Sequence, residues 1–560
     1  MDTVESESMA RFPLLFDVSI VGAGPAGLTL ASKLARLGLS TACFEENRTL
    51  YDYPRAVALD DETLRCFQGF GLSKDELAGS LMNCAGMKYY GERGQFLVLI
   101  HPEETPYGHY KGATFYQPVL EEILLRKARE CGASVYFDEK VVGLSQNDQH
   151  VTLKVRHDGV TREVVSSYVV GCDGGRSFVR KALNVKFVGR TFEQKWLIVD
   201  TQNDVREERL AEFWCNSERP VVSVPRRNGY RRWEFMLMRN ETDQTFTTMA
   251  DVVPLLSRYV DVSGIRIQRV STYTFHSRHA ERYRVGRVFL AGDAAHLMPP
   301  FMAQGMAAGI RDVENLAWKL AEVLKGKLSS SRLDSYEIER KPHLIMMTRI
   351  TELAGAFMMP KSRTRSVFRD VVVNILTKIP GVVAEIKEAR FRPEPVLVDG
   401  LFRKTRGDRL AGKMFPQPRV LDAHGSSILL DHFLGDGFAF VVFGSLEMDI
   451  APALIEALTQ LECSFVQIIP QGLLVDDRFG RLDKSVLVED QYNQIPCWLK
   501  GYPSEIFLLR PDKFVMCSAS VGGQHEVARW IFDNLIRNRT SVQKIEALTL
   551  NAERQPLTSP

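Results

Sequence analysis

Residues 16–45 (FDVSIVGAGPAGLTLASKLARLGLSTACFE) constrain the fold more than any other stretch. The β-branched, apolar run Phe16-Asp17-Val18-Ser19-Ile20-Val21 reads as a buried parallel strand. It leads into Gly22-Ala23-Gly24-Pro25-Ala26-Gly27, which fills the G-x-G-x-x-G pattern, and then into a helix that stops at Gly38. In such a turn the first glycine permits the bend, the second lets the backbone approach a pyrophosphate, and the third lets helix and strand pack closely. N–H groups at the helix start, at the positive end of its dipole, are left to hold phosphate. A second strand over 40–44 ends at Glu45, next to Glu46, and Glu45 stands 18 residues after Gly27, where an acid accepts ribose hydroxyls. The unit binds a nucleotide and leaves open which one.

A chain of 560 residues exceeds one core, so several domains are expected. Its net charge of +2 offers no footprint for nucleic acid or a membrane surface. Nine scattered cysteines show neither C-x-x-C nor metal-ligand spacing, which points to reduced thiols in a cytoplasmic protein without a metal site. The acidic start MDTVESESMARF lacks the basic and apolar regions of a signal peptide. No uncharged apolar run approaches the roughly 20 residues that a membrane helix needs.

In order, a flexible lead over 1–15 precedes the first strand. Tyr51-Asp52-Tyr53-Pro54-Arg55-Ala56 places Arg55 in a loop beyond the second strand. There it could neutralise a phosphate, contact a cofactor ring, or stand as a solvated loop arginine. Residues 86–115 read as irregular strands. Gln117-Pro118 opens a helix to about 131, with Pro118 suited to a first turn. Short strands follow, with a hairpin turn at His157-Asp158-Gly159. The strand Tyr168-Val169-Val170-Gly171 then ends in Cys172-Asp173-Gly174, and the β-rich span 185–285 reads as an inserted second sheet. The chain returns with Val288-Phe289-Leu290-Ala291-Gly292-Asp293, His296, Pro299-Pro300 and Gln304-Gly305-Met306, then an amphipathic helix over 309–324. Asp293 could take a ribityl or ribose hydroxyl. Residues 331–395 are mostly helical, a boundary falls near 393–410, 410–550 form an α/β tail, and 551–560 read as disordered.

Gly22, Gly24 and Gly27 with Glu45 and Arg55, Cys172-Asp173-Gly174, and Gly292-Asp293 with Pro299-Pro300 and Gln304-Gly305-Met306 resemble the flavoprotein aromatic hydroxylases, the single-component FAD monooxygenases. Gly412-Lys413-Met414-Phe415-Pro416-Gln417-Pro418, Leu429-Leu430-Asp431 and Leu509-Arg510-Pro511-Asp512 look like the thioredoxin-like C-terminal domain of their phenol hydroxylase branch. The tail carries no C-x-x-C, so no redox role is expected of it. Asp52-Tyr53-Pro54-Arg55-Ala56, Asp60-Asp61-Glu62 and Arg232-Trp233-Glu234-Phe235 are similar to members acting on 3-hydroxyphenylpropionate. Two departures stand out: Ala303 where the family has a glycine, and Met306-Ala307-Ala308-Gly309 without its usual asparagine or cysteine.

The resemblance implies an α/β protein: an FAD-binding Rossmann-like domain (16–184 and 286–330), an inserted mixed β-sheet substrate domain (185–285), a helical segment (331–395) and a thioredoxin-like α/β domain (410–550). It implies that Gly22, Ala23, Gly24, Pro25, Ala26 and Gly27 hold the FAD pyrophosphate and that Glu45 and Glu46 serve the adenosine ribose. Arg55 and Gln117 match flavin-contacting positions, and Asp173, Gly292 and Asp293 match cofactor positions. Gly305 and Met306 would offer N–H groups to the pyrimidine edge of the flavin. With one dinucleotide fingerprint, NADH or NADPH is expected to have no Rossmann domain of its own and to bind transiently, as in this family. The resemblance implies that it reduces FAD and that O₂ is carried as a flavin C4a-hydroperoxide, which an ionised phenol would attack to give a catechol. His296 and Pro299 are the candidates for catalysis, with a structural role for His296 as the alternative, and Pro300 shapes the pocket floor. Arg226, Arg227, Arg231 and Arg232 either pair with a substrate carboxylate or are solvated sheet-edge charges. The implied partners are a small aromatic substrate and O₂, with a homodimer as the assembly. Another phenol (a nitrocatechol, chlorophenol or polyketide phenol), or a flavin-binding NAD(P)H oxidase or redox protein, stays open.

Overall fold

The run Leu14–Val21 lies at the centre of an eight-stranded sheet. It pairs in parallel with Thr41–Phe44 on one side and Val160–Gly171 on the other, through Val18↔Thr41 and Val18↔Tyr168. Val288–Leu290 and Ser134–Tyr136 extend the parallel core outwards. The last four residues of the central strand, 18–21, are buried in succession rather than in alternation, Ser19 included, as in a parallel strand covered on both faces. Pro25–Arg36 packs between Gln117–Glu130 and the long helix Gly305–Leu324. The hairpin closes where Asp158 (φ 47°) and Gly159 (φ 80°) take the left-handed conformation that a two-residue turn demands. This is a computed structural model, and it describes residues 14–536 apart from 102–104, 205, 207–208, 389–392, 406–407, 445–449 and 474–484. The lead, except its last two residues, and the tail over 551–560 lie outside the described residues.

A second eight-stranded sheet is built mostly from the 185–285 insertion. In spatial order it runs His296–Leu297, Arg266–Ala280, Phe187–Gln202, Arg231–Met236, Val221–Pro225, Leu210–Trp214, Gly86–Tyr90 and Phe96–Ile100. Its last two strands come from the 86–115 stretch, because Gly86–Tyr90 pairs in parallel with Leu210–Trp214. Alternation sorts its side chains. Trp196, Ile198, Phe213, Val222 and Val224 face one core, and Leu197, Val199, Val221, Trp233 and Phe235 the other.

Helices Ser335–Met358, Arg363–Leu376 and Pro380–Lys387 follow. The C-terminal part is a seven-stranded mixed sheet. Ala439–Phe443, Ser464–Ile469 and Val486–Asp490 are parallel, and the Ile506–Leu509/Val515–Ala519 hairpin adds antiparallel strands, in a thioredoxin-like arrangement. The architecture is thus an α/β, Rossmann-like unit with an inserted β-sheet, a helical segment and a C-terminal α/β domain.

Candidate active site

A cavity of about 410 Å³ lies between the loops at the ends of the parallel strands and one face of the second sheet. Ligands of open α/β sheets bind at such strand ends. The three glycines behave differently there. Gly22 has φ +102°, and a Cβ on it would sit 2.5 Å from the Cys172 carbonyl oxygen. A Cβ on Gly27 would lie 1.9 Å from the Gly22 carbonyl oxygen, so helix and strand touch through backbone. A Cβ on Gly24 would meet nothing within 4 Å, because this residue faces the cavity with Pro25 and Ala26. Glu45 turns back on the loop, where its Oε2 accepts the Ala23 N–H at 2.9 Å. Glu46 is exposed and pairs with Lys140 at 2.8 Å.

Asp293 lines the cavity, its side chain exposed to that space, and has no hydrogen-bond or ion-pair partner among the described residues. The surrounding cavity walls raise its carboxyl pKa, with His296 and Arg55 pulling the other way. Beside it Gly292 (φ +61°) packs 3.2 Å from the Ala26 Cβ when given a Cβ of its own. Gly305 and Met306 open a 20-residue helix whose N-terminal end borders the cavity, four residues earlier than its periodicity suggests. An acid without a partner, an open glycine turn and two helix N-termini converging on one space are the donors and acceptors that a flavin dinucleotide requires.

Other candidates sit elsewhere. Asp173 accepts the Ser177 hydroxyl at 2.6 Å and the Val179 N–H at 3.0 Å, so its side chain ties down the start of helix Phe178–Ala182 while Cys172 and Gly174 line the cavity. His296 is buried and donates from Nε2 to Asp312 Oδ2 at 2.5 Å. Asp312 also accepts the Gly292 N–H at 3.1 Å and Arg340 Nε at 3.0 Å. Burial opposes the Asp312 charge, but His296 and Arg340 hold its pKa below the usual carboxylate value. Neither His296 nor Pro299 lines the cavity, whereas Pro300 does. Ala303 adopts φ 52°, ψ 34°, the left-handed region that suits the glycine it replaces and costs another residue roughly 1–2 kcal/mol.

The Arg55 loop is held from below. Gln117 Oε1 accepts the N–H groups of Arg55 and Ala56, both at 2.7 Å. Arg232 donates to the carbonyls of Pro54 and Arg55 at 2.6 Å each, and to Asp200 at 2.9 and 3.0 Å. Arg226 is buried and pairs with the same Asp200 at 2.8 Å. Arg226 and Arg232 are therefore neither sheet-edge charges nor cavity residues. Arg231 is buried against Asp204, and exposed Arg227 donates to the Ala78 carbonyl. Arg55 is the cationic side chain among the described cavity-lining residues, exposed at the rim with its guanidinium 4.9 Å from the Tyr51 ring centroid.

The far wall is apolar: Trp196, Phe213, Val222, Val224, Phe275 and Phe301. Glu234 interrupts it. In the sequence Glu234 stands out only as part of Arg232-Trp233-Glu234-Phe235, with no role of its own, and Asp312 not at all, because a lone acid in a strand or helix reads as a solvent-facing residue until pairing shows which face it occupies. Among the described residues no group of acids, histidines and cysteines could hold a metal, and no helix is long and apolar enough to cross a membrane.

Residues 16–351 match the FAD binding domain family, and 412–533 match the HcaD C-terminal domain. The chain belongs to the FAD-dependent aromatic hydroxylases, monooxygenases that keep FAD bound and draw electrons from NADH or NADPH. It is 36% identical to the 3-(3-hydroxy-phenyl)propionate/3-hydroxycinnamic acid hydroxylase of Burkholderia cenocepacia (strain HI2424), over 90% of this chain and 94% of that one. It is 34% identical to the enzyme of the same name from Comamonas testosteroni, with the same coverage. The flavin-dependent monooxygenase PieE, solved with FAD and substrate, shares the fold with a TM-score of 0.76 at 20% identity, over 94% of this chain and all of that one.

Proposed function

We propose that this enzyme ortho-hydroxylates a 3-hydroxyphenyl carboxylic acid of the 3-(3-hydroxyphenyl)propionate type to its catechol. The observation that carries this reading is the 34–36% identity, over 90% of the chain, to hydroxylases named for that substrate. The cavity supports it: an apolar slot suits an aryl ring, and Arg55 at the rim suits a carboxylate. Bound FAD supplies hydride acceptance from NAD(P)H and the activation of O₂. The protein binds, orients and shields. Gly24 leaves room for the pyrophosphate, Glu45 and Asp293 accept hydroxyls of the adenosine ribose and ribityl chain, and Gly305 and Met306 direct N–H groups at the flavin ring. The walls of Trp196, Phe213 and Phe301 exclude water from the reacting ring. Nine free thiols support a reducing, cytoplasmic setting, and a homodimer belongs to the same reading.

The test is direct. Purified holoprotein should oxidise NAD(P)H faster with 3-(3-hydroxyphenyl)propionate present and convert it to a catechol, identified by mass spectrometry. A rate indifferent to the phenol, with hydrogen peroxide as the only oxygen product, would refute the assignment.

A further inference from the structure

The cavity face of the second sheet carries one group that the fold gives no reason for. Glu234 lies in strand Arg231–Met236, directly opposite Ile198 on one neighbouring strand and Val222 on the other. Residues opposite one another share a face, and so do residues two apart on a strand. Its nearest neighbours on that face are Ile198, Val222, Trp196 and Val224, all apolar and all buried, while two residues along the strand Arg232 shares the face with its partner Asp200. Glu234 is half-buried, lines the cavity, and has no hydrogen-bond or ion-pair partner among the described residues. An acid in an apolar wall without a hydrogen-bond partner is costly to keep, and only the charges of Arg232 and Arg226, both already engaged by Asp200, oppose that cost. A group kept at such a place is matched by something that enters the cavity.

Resting on the hydroxylase reading, we propose that Glu234 is the catalytic residue that accepts the proton of the substrate's phenolic hydroxyl. The O–H bond breaks, the proton passes to a Glu234 carboxylate oxygen, and the bonding pair stays on the phenol oxygen. The resulting phenolate pushes electron density onto its ortho carbon, where hydroxylation occurs. The titratable groups around Glu234 leave it this role. Arg232 on its own strand is saturated by Asp200 and two carbonyls. Arg226 is buried against the same Asp200. Asp293 stands across the cavity beside Gly292 and the nucleotide turn, and Arg55 stands at the rim. The Cys84 thiol, which also lines the cavity, donates to the Gly86 carbonyl at 3.3 Å and is held protonated by burial. Burial likewise raises the Glu234 pKa, with Asp200 adding to this and Arg232 and Arg226 opposing it, which makes the carboxylate a stronger base than one in water. Its charge also orients the substrate: a carboxylate tail is repelled from Glu234 towards Arg55, and the hydroxyl is drawn the other way.

The experiment follows binding of 3-(3-hydroxyphenyl)propionate to oxidised wild-type, E234Q and E234D holoenzymes by ultraviolet difference spectroscopy, and then measures kcat for catechol formation against pH to give the ionisation curve that governs each rate. In the wild type kcat should rise with an ionisation well below the value near 10 of a free phenol, because the group that must first lose its proton is Glu234. In E234Q the governing ionisation should move to that of the phenol itself. Its kcat at neutral pH should fall roughly 100-fold or more, and rise again as alkali ionises the phenol. E234D, with the carboxyl withdrawn by one methylene, should keep the shifted ionisation at a reduced rate. Flavin content verifies folding of each variant. Wild-type holoenzyme that fails to bind the phenol overturns the hydroxylase reading and the proton transfer with it. Binding by all three proteins with one common ionisation curve overturns the role of Glu234 alone.

Discussion

Gly24 and Gly27 are three residues apart in one turn, and side chains there have opposite consequences. Space beside Gly24 is open, whereas a Cβ on Gly27 would overlap the Gly22 carbonyl at 1.9 Å. Gly24→Val should therefore fold with nearly wild-type circular dichroism and yet elute colourless, because its methyls fill the space of the pyrophosphate. Gly27→Ala should lose roughly 3 kcal/mol or more of stability, seen as a lowered thermal midpoint of the apoprotein. A yellow Gly24→Val protein would contradict the placement of FAD over this turn. These roles are legible in the sequence because a turn is local: spacing alone sets which glycine meets backbone and which meets ligand. The arginines of the second sheet are not legible in this way. Arg226 and Arg232 find Asp200 only after Phe187–Gln202, Arg231–Met236 and Val221–Pro225 have paired, through Asp200↔Arg232 and Val224↔Arg232. The same registration puts Glu234 on the cavity face.

At the scale of one element, helix Gly305–Leu324 shows why an apolar stripe undersells a buried helix. Ile310, Val313, Leu316 and Leu320 form the readable face, but Asp312, Asn315 and Lys319 are buried as well. Asp312 gathers the Gly292 N–H, His296 and Arg340, and so fixes the turn that presents Asp293 to the cavity. Asp312→Asn keeps the shape and removes the charge, leaving Arg340 without its anion. Loss of one partner of a buried pair costs about 3–5 kcal/mol, so urea unfolding at neutral pH should show a deficit of that size. The sign of the pH dependence follows from the lowered Asp312 pKa. A carboxylate whose folded pKa is depressed contributes stability above its unfolded pKa of about 3.9 and loses it as pH falls through the lower folded value. The gap between wild type and Asp312→Asn should be constant from neutral pH down to roughly 5 and narrow below 4. A gap independent of pH throughout would show that shape rather than charge holds the turn.

Over the whole molecule, the C-terminal domain is locked to the helix that borders the flavin site. Four of its seven strands, Ala439–Phe443, Ser464–Ile469, Ile506–Leu509 and Val515–Ala519, are legible in the sequence as short apolar runs between turns. Its docking is not, because the partners lie some 170 to 370 residues apart, as in Arg510–Glu339 and Arg65–Asp431. Arg510 donates to both Glu339 oxygens at 2.9 Å and to Asp512 at 2.5 and 2.9 Å. Glu339 also takes Lys319 at 2.8 Å, and Asp512 takes the Trp318 indole N–H at 3.1 Å. Trp318 and Leu328 sit in one core cluster with Phe438, Leu454 and Leu508 of the C-terminal domain. Lys319 and Trp318 belong to the helix that starts at Gly305 and Met306, so the domains should unfold as one unit and release flavin as they do. Arg510→Ala removes the cation that faces buried Asp512 and leaves Glu339 with Lys319 as its counter-charge, beside the neutral donors Asn315 and the Leu401 N–H. A loss of about 3–5 kcal/mol is expected. The shared core should weaken with it, so flavin fluorescence and tail unfolding should both shift to lower temperature and stay coincident. If the tail melts early while flavin is retained to the wild-type temperature, the two parts are energetically separate and the charge network only orients them. If neither transition moves, the apolar seam around Trp318 holds the domains without help from Arg510.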